Sequence, residues 1–327
     1  MASIRQHGNK WQARVSRKGH KSQIKSFHNK QDAEKWAKQV EVEIDKGSYV
    51  NLTLAEHTTF KELIYRYIDE IIPTMRGGNS DVVRLKALAR RPIAQYNMVA
   101  LTPQRIVEHR DQRLKEVAPN TVTRELAYFS SIINHARREW GININNPVHM
   151  VKRPKGGQGR SRILSDMELN HILEELKPVD RKSIWMLPLV KLALETAMRR
   201  GELLSLQWSL INFEKRTATI PITKNGERRI VPLSSTALEI LRTMPRNIDG
   251  RVFPITHEVV SQSFFKARKR AGVTDVRFHD LRHMAITRMA EKLPNLIELS
   301  AVSGHKSLAM LKRYYHPNPE MLAEKLG

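Results

Sequence analysis

The chain has 327 residues, which exceeds the size of one ordinary domain and predicts two or three. Its 56 lysines and arginines against 33 acidic residues give a formal net charge of +23. This charge favours a polyanionic partner such as nucleic acid, because each neutralised phosphate releases condensed counterions. The absence of cysteine excludes disulfides, thiolate metal sites and thiol catalysis.

No targeting or membrane segment is predicted. Met1 to Asn9 is polar and basic and lacks the apolar core of a signal peptide. The longest apolar stretch, Ile184 to Leu194, is interrupted by Pro188 and Lys191 and is too short to span a bilayer. We therefore expect a cytoplasmic, nucleoid-associated protein without a membrane partner.

The first segment, residues 1–55, has the pattern of a small sheet backed by one helix. Lys10 to Val15 and Lys21 to Phe27 are predicted to be short strands. Asn29 is a helix N-cap, and Gly47 ends that helix. Apolar residues fall on one face of the helix, so it is expected to pack on the sheet.

Basic residues are concentrated in the first thirty positions, which contain eight lysines and arginines and no acid. A solvated sheet face would explain them, but a DNA-contacting sheet is favoured because the acidic residues are confined to the helix. The candidate DNA contacts in this segment are Arg14, Arg17, Lys18, Lys21 and Lys25.

The second segment, residues 58–153, is predicted to be a helical domain with four helices. Thr59 and Glu62 form a capping box before an apolar stripe that stops at Pro73. Thr102 is a second N-cap, followed by proline at the first helical position. The other two helices are predicted over Ser80 to Ile93 and Asn120 to Trp140. No residue here indicates chemistry, so binding is its expected role.

A basic connection, residues 154–162, joins this domain to the third segment. The run KRPKGGQGRSR, which starts at Lys152, contains five basic residues, three glycines and no acid. Such a composition cannot bury a core and predicts an extended linker that follows DNA. The candidate DNA contacts in this region are Lys152, Arg153, Lys155, Arg160 and Arg162.

The third segment, residues 163–327, is mixed. Ser165 and Glu168 cap a first helix, and further helices are predicted over Ser183 to Thr196 and from about Gly201. Two β-rich runs flank Asn225-Gly226, a strong hairpin-turn signal, and helices dominate after Ser261. The β-rich runs are Thr217 to Thr223 and Arg228 to Leu233.

Several short motifs in this third segment together supply the groups for phosphodiester cleavage. Taken alone, each has an ordinary explanation: a surface ion pair, a solvated lysine or a packed histidine. Together they provide a tyrosine nucleophile, two arginines for phosphate oxygens, and lysine or histidine for proton transfer. Neither HExxH nor a tight carboxylate cluster is present, so metal hydrolysis is disfavoured and no cofactor is expected. The motifs are TAMRRGE from Thr196, TKNG from Thr223, HDLRH from His279, SGH from Ser303 and RYYH from Arg313.

The order Arg, Lys, His-x-x-Arg, Gly-His, Tyr resembles that of the tyrosine recombinases, which include phage integrases and the Xer proteins. The resemblance selects Arg199 over Arg200 because the family's first arginine follows a Thr-Gly-Leu/Met triplet. It selects Tyr314 over Tyr315 because the family ending reads Arg-Tyr-x-His. The implied catalytic set is Arg199, Lys224, His279, Arg282, His305 and Tyr314, with Glu202 as a supporting carboxylate and no metal ligand.

The resemblance also implies an architecture and an assembly. The fold would be α+β and mostly α, with an arm-binding sheet-plus-helix domain, a helical core-binding domain and a mixed catalytic domain. The protein would clamp double-stranded DNA and work as a homotetramer through a Holliday junction. The tail from His316 to Gly327 would pack on a neighbouring subunit, or alternatively cap its own domain. A DNA-bending or directionality protein is a further expected partner.

Two departures from the family pattern are Ala197, where glycine is usual, and Ser303, where leucine is common. Both are reminiscent of the shufflon DNA invertases. Integration or excision of a mobile element is therefore the main expectation, with inversion as an alternative. A type IB topoisomerase and a non-catalytic sequence-specific DNA-binding protein are further alternatives.

Overall fold

The computed structural model describes most of the chain and divides it into two compact units. The units are Met1–Gln158 and Gly159–Gly327. The described residues are 2–17, 20, 22–47, 49, 52–75, 77–157, 162–179, 182–221, 228–315, 320, 323, 326 and 327. Helices predominate and two small antiparallel sheets accompany them, which confirms the predicted α+β, mostly α class.

The N-terminal sheet has three strands, one more than the sequence pattern predicts. Strands β1 (Ala2–His7), β2 (Lys10–Val15) and β3 (Gln23–Phe27) pair antiparallel in that order. The missed β1 follows from Gly8-Asn9, a two-residue hairpin signal in which Gly8 has φ +59°.

Helix α1 (Lys30–Asp45) covers one face of this sheet. The side chain of Asn29 accepts a hydrogen bond from the Asp32 backbone N–H, which confirms the predicted cap. Beneath the helix lies a separate apolar cluster, so this part of the chain buries a core of its own. Its buried members are Ala13, Val15, Ala33, Ala37, Val40 and Ile44.

The helical part of the first unit confirms the predicted caps. The capping box of Thr59 and Glu62 is formed, and Thr102 caps a helix that begins with Pro103. The helix predicted between Ser80 and Ile93 is present and runs from Asn79 to Ala89, since Pro92 cannot continue it and starts a 3-10 turn. The helices are α2 (Thr53–His57), α3 (Phe60–Glu70), α4 (Asn79–Ala89), α5 (Pro103–Glu116) and α6 (Pro119–Glu139).

The second unit surrounds a three-stranded antiparallel sheet with helices. Strands β5 and β6 pair with Ile220 opposite Arg229, which confirms the predicted β-rich runs, while the turn at Asn225-Gly226 lies outside the described residues. The strands are β4 (Ile211–Asn212), β5 (Thr217–Ile220) and β6 (Arg229–Pro232). The helices are α7 (Asp166–Glu175), α8 (Met186–Thr196), α9 (Arg200–Leu204), α10 (Ser235–Thr243), α11 (His257–Arg270), α12 (Asp280–Lys292), α13 (Leu296–Ser303) and α14 (Leu308–Leu311).

Two apolar clusters stabilise this unit. The larger one joins α7, α8, α10 and α11 to the sheet. The smaller one lies where α12, α13 and α14 meet, and its buried members are Ala197, Ala285, Ile286, Ala290, Leu299, Leu311 and Tyr314. This smaller cluster positions the predicted nucleophile. Among the described helices, none is both long and apolar enough to cross a membrane.

Candidate active site

Two predicted arginines, far apart in sequence, converge on one turn. Arg199 immediately precedes α9, and its Nη2 donates to the carbonyl of Gly304 at 3.2 Å. Arg282 lies in the first turn of α12, and its Nη2 donates to the carbonyl of Ser303 at 2.6 Å. Both guanidinium groups are therefore anchored on consecutive carbonyls at the end of α13, directly before His305.

Arg282 is the more deeply buried of the two arginines, with 4% of its surface exposed. Its Nη1 donates to the carbonyl of Ala197, the residue that ends α8. Burial, reinforced by the nearby charge of Arg199, lowers the pKa of Arg282 to about 10. The group therefore stays charged at neutral pH and is held by two backbone acceptors.

Ala197 occupies the position where the family pattern has glycine, and the structure gives it a left-handed conformation. Its φ is +49° and its side chain is fully buried. Glycine adopts such a conformation at little cost, whereas alanine is strained there. Although alanine replaces the usual glycine, residue 197 keeps the left-handed backbone conformation in which its carbonyl accepts a hydrogen bond from Arg282.

Glu202 holds Arg199 in place. Its carboxylate accepts from the Arg199 backbone N–H at 3.0 Å and from Arg199 Nη1 at 2.8 Å. Burial raises the pKa of Glu202, but Arg229 and Arg199 more than offset this, so the pKa lies below its usual value. An ionised, buried carboxylate therefore fixes the side chain of Arg199.

Arg229 belongs to the same network and was not among the sequence candidates. It is 9% exposed, and its Nη2 donates to Glu202 at 2.8 Å. Its Nη1 donates to the carbonyl of Val302 at 3.0 Å. On β6, Arg229 and Val231 are buried, whereas Ile230 between them is exposed. Because side chains alternate between the two faces of a strand, Arg229 shares the buried face of Val231, and this alternation is the sequence signal that could have identified it.

Gly304 is required by this packing. Its φ is +67°, and a Cβ there would lie 2.4 Å from Nη1 of Arg229. A side chain at this position would therefore push Arg229 away from the turn that presents His305.

His305 is fixed by two serines. Nδ1 of His305 lies 2.8 Å from Oγ of Ser303, and Oγ of Ser300 donates to the His305 carbonyl at 2.6 Å. Ser303 is the second departure from the family pattern, and it is fully buried. The hydroxyl that replaces a leucine side chain thus becomes a hydrogen-bond partner of a predicted catalytic histidine.

Tyr314 lies in a 3-10 turn after α14 and is only 8% exposed. Its hydroxyl is within hydrogen-bond distance of Nδ1 of His283. The two rings stack with centroids 5.8 Å apart and planes inclined by 25°. Tyr315, the alternative nucleophile, is partly buried. Within the described residues, its side chain makes no comparable hydrogen bond or ring stacking with a histidine.

His279 lies at the start of α12, one helical turn before His283. Its ring meets the His283 ring edge-on, with centroids 5.2 Å apart. One side of His279 is exposed to solvent, and the other side packs against the protein. This partial burial and the charge of Arg282 lower the pKa of His279. His279 is therefore mainly neutral at neutral pH.

The structure thus brings most of the predicted catalytic set into one region. Direct contacts connect Arg199, Glu202, Arg282 and the turn that carries His305. His279 and Tyr314 are linked through His283, which the sequence analysis did not select although it stands inside the HDLRH motif. Lys224 lies outside the described residues.

The candidate DNA contacts of the N-terminal sheet fall into two groups. Arg14 is exposed and donates to Ser22 at 3.0 Å. In contrast, Arg17 pairs with Asp45 at 3.1 Å, and Lys25 pairs with Glu56 at 3.3 Å. Lys18 and Lys21 lie outside the described residues.

The face of the sheet explains this difference. Lys25 stands directly opposite Ala13, whose side chain packs under α1, so both lie on the face that α1 covers. Arg14 stands opposite Ser3 and Ile24 and lies on the other face, here called the open face because no described helix covers it. Arg5 and Lys10 share that open side, because they stand opposite Gln12 and His7. Among the strand residues that the structure describes, the open face therefore carries the lysine and arginine side chains of Arg5, Lys10 and Arg14 and no acid.

In the linker, Lys152, Arg153 and Lys155 are exposed and belong to no helix or strand. Arg162 instead pairs with Glu168 of α7, and Arg160 lies outside the described residues. A groove beside His279 is lined by further basic side chains that were not among the sequence candidates, namely Arg200, His257, Arg268 and Arg277. Within the described ranges, no three His, Asp or Glu side chains lie close enough together to hold a metal ion.

Comparison with known proteins agrees with this geometry. Residues 162–321 match the phage integrase family, and residues 56–155 match the phage integrase N-terminal domain. A shufflon-specific DNA recombinase of Escherichia coli is 39% identical over 270 residues, covering 80% of this chain and 70% of that protein. An integrase/recombinase of Haemophilus influenzae is 36% identical over 332 residues, covering 97% and 88%. The chain therefore belongs to the phage integrase family of tyrosine-type site-specific recombinases.

Solved structures show the same fold. The Tn1549 transposon integrase in complex with a circular intermediate DNA has a TM-score of 0.67 at 16% identity, covering 82% of this chain and 98% of that chain. A lambda integrase dimer bound to a COC' core site has a TM-score of 0.65 at 22% identity, covering 96% and 94%.

Proposed function

We propose that this recombinase cuts and rejoins DNA through a covalent 3'-phosphotyrosyl intermediate at Tyr314. The phenol oxygen attacks the phosphorus, and the bond to the 5' oxygen breaks. The covalent link conserves the energy of the phosphodiester, so rejoining needs no ATP. The observation that carries the proposal is the anchoring of Arg199 and Arg282 on the carbonyls of Gly304 and Ser303.

The two arginines stabilise charge on the non-bridging phosphate oxygens. Each guanidinium carries five N–H groups, so donors remain for the phosphate after the backbone contacts are made. Because these contacts and Glu202 fix the groups in advance, little reorganisation is needed when charge develops. Lysine cannot replace either group well, since it lacks the planar fork.

The remaining catalytic roles fall to Lys224, His279 and His305. Lys224, expected on the hairpin between β5 and β6, donates a proton to the leaving 5' oxygen. His279 and His305 donate hydrogen bonds to phosphate oxygens. The contact between Ser303 and His305 supports this role, because it fixes the histidine ring beside the arginine anchors.

The proposed partner is double-stranded DNA, held by a homotetramer in the cytoplasm at the nucleoid. The net charge of +23 supports DNA binding. So do the solved relatives, which include a lambda integrase tetramer bound to a Holliday junction. In this proposal residues 1–55 bind an arm site, residues 58–153 and 163–327 clamp a core site, and 154–162 links them. The C-terminal tail packs on a neighbouring subunit, and a DNA-bending or directionality protein assists.

Integration or excision of a mobile element is the main proposed outcome, and inversion is the second candidate. The 39% identity to a shufflon-specific recombinase favours the second candidate. Repeats flanking the encoding element supply the DNA sites for a test on plasmids. Recombination restricted to inverted sites supports inversion, whereas recombination between two separate molecules supports integration.

The chemical proposal is tested with a suicide substrate, a nicked duplex whose cleaved fragment diffuses away and traps the covalent complex. Tyr314→Phe should bind DNA normally but yield no covalent band, because only the nucleophilic oxygen is lost. Tyr315→Phe is the matched control and should retain the band. A band that persists in Tyr314→Phe and disappears in Tyr315→Phe would reverse the assignment. No band from the unaltered protein would favour a non-catalytic DNA-binding protein.

A further inference from the structure

His283 makes a contact with the reacting oxygen that the six proposed catalytic residues leave unexplained. It follows Arg282 on α12, so the helix that carries one phosphate-binding arginine also carries this ring. Its Nδ1 is within hydrogen-bond distance of the Tyr314 hydroxyl, and the two rings are stacked. Both stacking and hydrogen bonding thus fix the position of the nucleophile relative to α12.

The burial of Tyr314 favours a proton acceptor beside its hydroxyl. With 8% of its surface exposed, the phenol has little access to water that could take its proton. Forming a phenolate in such a place is costly, because burial disfavours the charged form. A neighbouring base that removes the proton during attack avoids this cost.

We propose that His283 is the general base that accepts the proton of Tyr314 during DNA cleavage. The inference rests on the proposed function and assigns one further catalytic residue to it. The bond from Tyr314 Oη to phosphorus forms while the phenol proton moves to Nδ1. The bond from phosphorus to the 5' oxygen breaks, and that oxygen receives its proton from Lys224. In rejoining, the 5' hydroxyl attacks phosphorus and gives its proton to Lys224, while the bond from phosphorus to Tyr314 Oη breaks and His283 returns the proton to the departing tyrosine.

The surroundings of His283 fit this role better than those of the other two histidines. Nδ1 of His305 is engaged by Ser303, and the His279 ring meets His283 rather than Tyr314. The charged neighbour Arg282 directs its guanidinium to the carbonyls of Ala197 and Ser303. For Nδ1 to accept, the neutral ring carries its proton on Nε2.

The first experiment measures single-turnover cleavage of the suicide substrate by three variants. His283→Phe keeps a stacked ring without nitrogen, and His283→Asn places an amide near the former Nδ1 but cannot take up a proton. Thr287→Val removes a hydroxyl that donates to the His283 backbone carbonyl at 3.1 Å and leaves the ring untouched, so it is the matched control. Cleavage by the first two should fall by about 10² to 10⁴, the usual contribution of general acid–base catalysis, with DNA affinity unchanged. The control should cleave normally.

The second experiment separates a base from a purely positioning group. A fluorinated tyrosine at position 314 has a more acidic phenol and depends less on a base, so it should restore part of the cleavage rate in His283→Phe. A substrate with sulfur in place of the leaving 5' oxygen needs no proton on departure. It should rescue Lys224→Ala but not His283→Phe.

Three results would overturn the role of His283. They are cleavage by both His283 variants within about threefold of the unaltered protein, full activity of His283→Asn alone, or rescue of His283→Phe by the sulfur substrate. Failure of the proposed function looks different, because the unaltered protein would then form no covalent complex, or Tyr314→Phe would still form one.

Discussion

At the scale of single residues, a buried ion pair organises the site. Glu202 and Arg229 are 5% and 9% exposed, and their charged atoms are 2.8 Å apart. Breaking such a pair by removing one partner is strongly destabilising, because the other charge stays buried without compensation. Arg229 also contacts the carbonyl of Val302, two residues before Gly304. Its loss should therefore affect both stability and the placement of Arg199 and His305.

We predict that Arg229→Gln lowers the free energy of unfolding by about 3–5 kcal/mol and slows cleavage at temperatures where the protein remains folded. Arg228→Gln is the matched control, because Arg228 is exposed and a surface substitution changes stability by about 0.5 kcal/mol or less. Urea unfolding and the suicide-substrate assay measure the two effects. Equal behaviour of the two variants would contradict the role of Arg229.

At the scale of elements, the N-terminal sheet separates its basic residues by face. Arg5, Lys10 and Arg14 point to the open side, whereas Arg17 and Lys25 are paired with acidic residues. Paired charges release fewer counterions on binding DNA than free ones. We therefore expect the open face, rather than the whole basic set, to contact an arm site.

Replacing Arg5, Lys10 and Arg14 together by glutamine should weaken arm-site binding and reduce the slope of log K against log salt by about three. The double variant Arg17→Gln/Lys25→Gln should reduce the slope less, although it also removes two positive charges. Affinities for an arm-site duplex across a salt series provide the comparison. If the salt slope falls by the same amount per charge removed in the double variant as in the triple variant, the two faces of the sheet do not differ in DNA binding.

At the scale of the whole molecule, the first segment has its own core, but its predicted last residue, Ala55, packs in a different one. Ala55 lies within α2, is fully buried in the core of the helical part, and its carbonyl accepts from the Met98 N–H at 3.1 Å. A deletion that ends at residue 55 would therefore remove part of that core. Deletion of residues 1–51 leaves α2 and its buried contacts in place.

We predict that the protein lacking residues 1–51 folds, still cleaves a core site and loses affinity for a separate arm site. All the proposed catalytic residues remain, and the deleted sheet and α1 bury their own apolar cluster. Full-length and shortened proteins should be compared on long DNA and on core-only DNA. Equal affinity and salt slope on the long DNA would indicate that the sheet does not bind an arm site.

Local features were predictable from the sequence by itself. The capping boxes at Thr59 and Ser165 and the cap at Asn29 depend on residues three positions apart, so short-range chemistry decides them. The order of Arg199, His279, Arg282, His305 and Tyr314 also identified the family. Their proximity in the folded protein could be expected only from the resemblance, because the spacing of residues along the sequence does not give their distances in space.

The tertiary structure decided which groups share an environment. The sequence motifs alone assign no role to His283 or Arg229. Their roles arise from contacts with Tyr314 and Glu202, which folding brings from distant parts of the chain. Lys25 and Arg14 have the same charge but lie on opposite faces, because strand register assigns each side chain to one side of a sheet. Burial and pairing, which set pKa and free charge, are properties of the packed chain, and no short segment of sequence contains them.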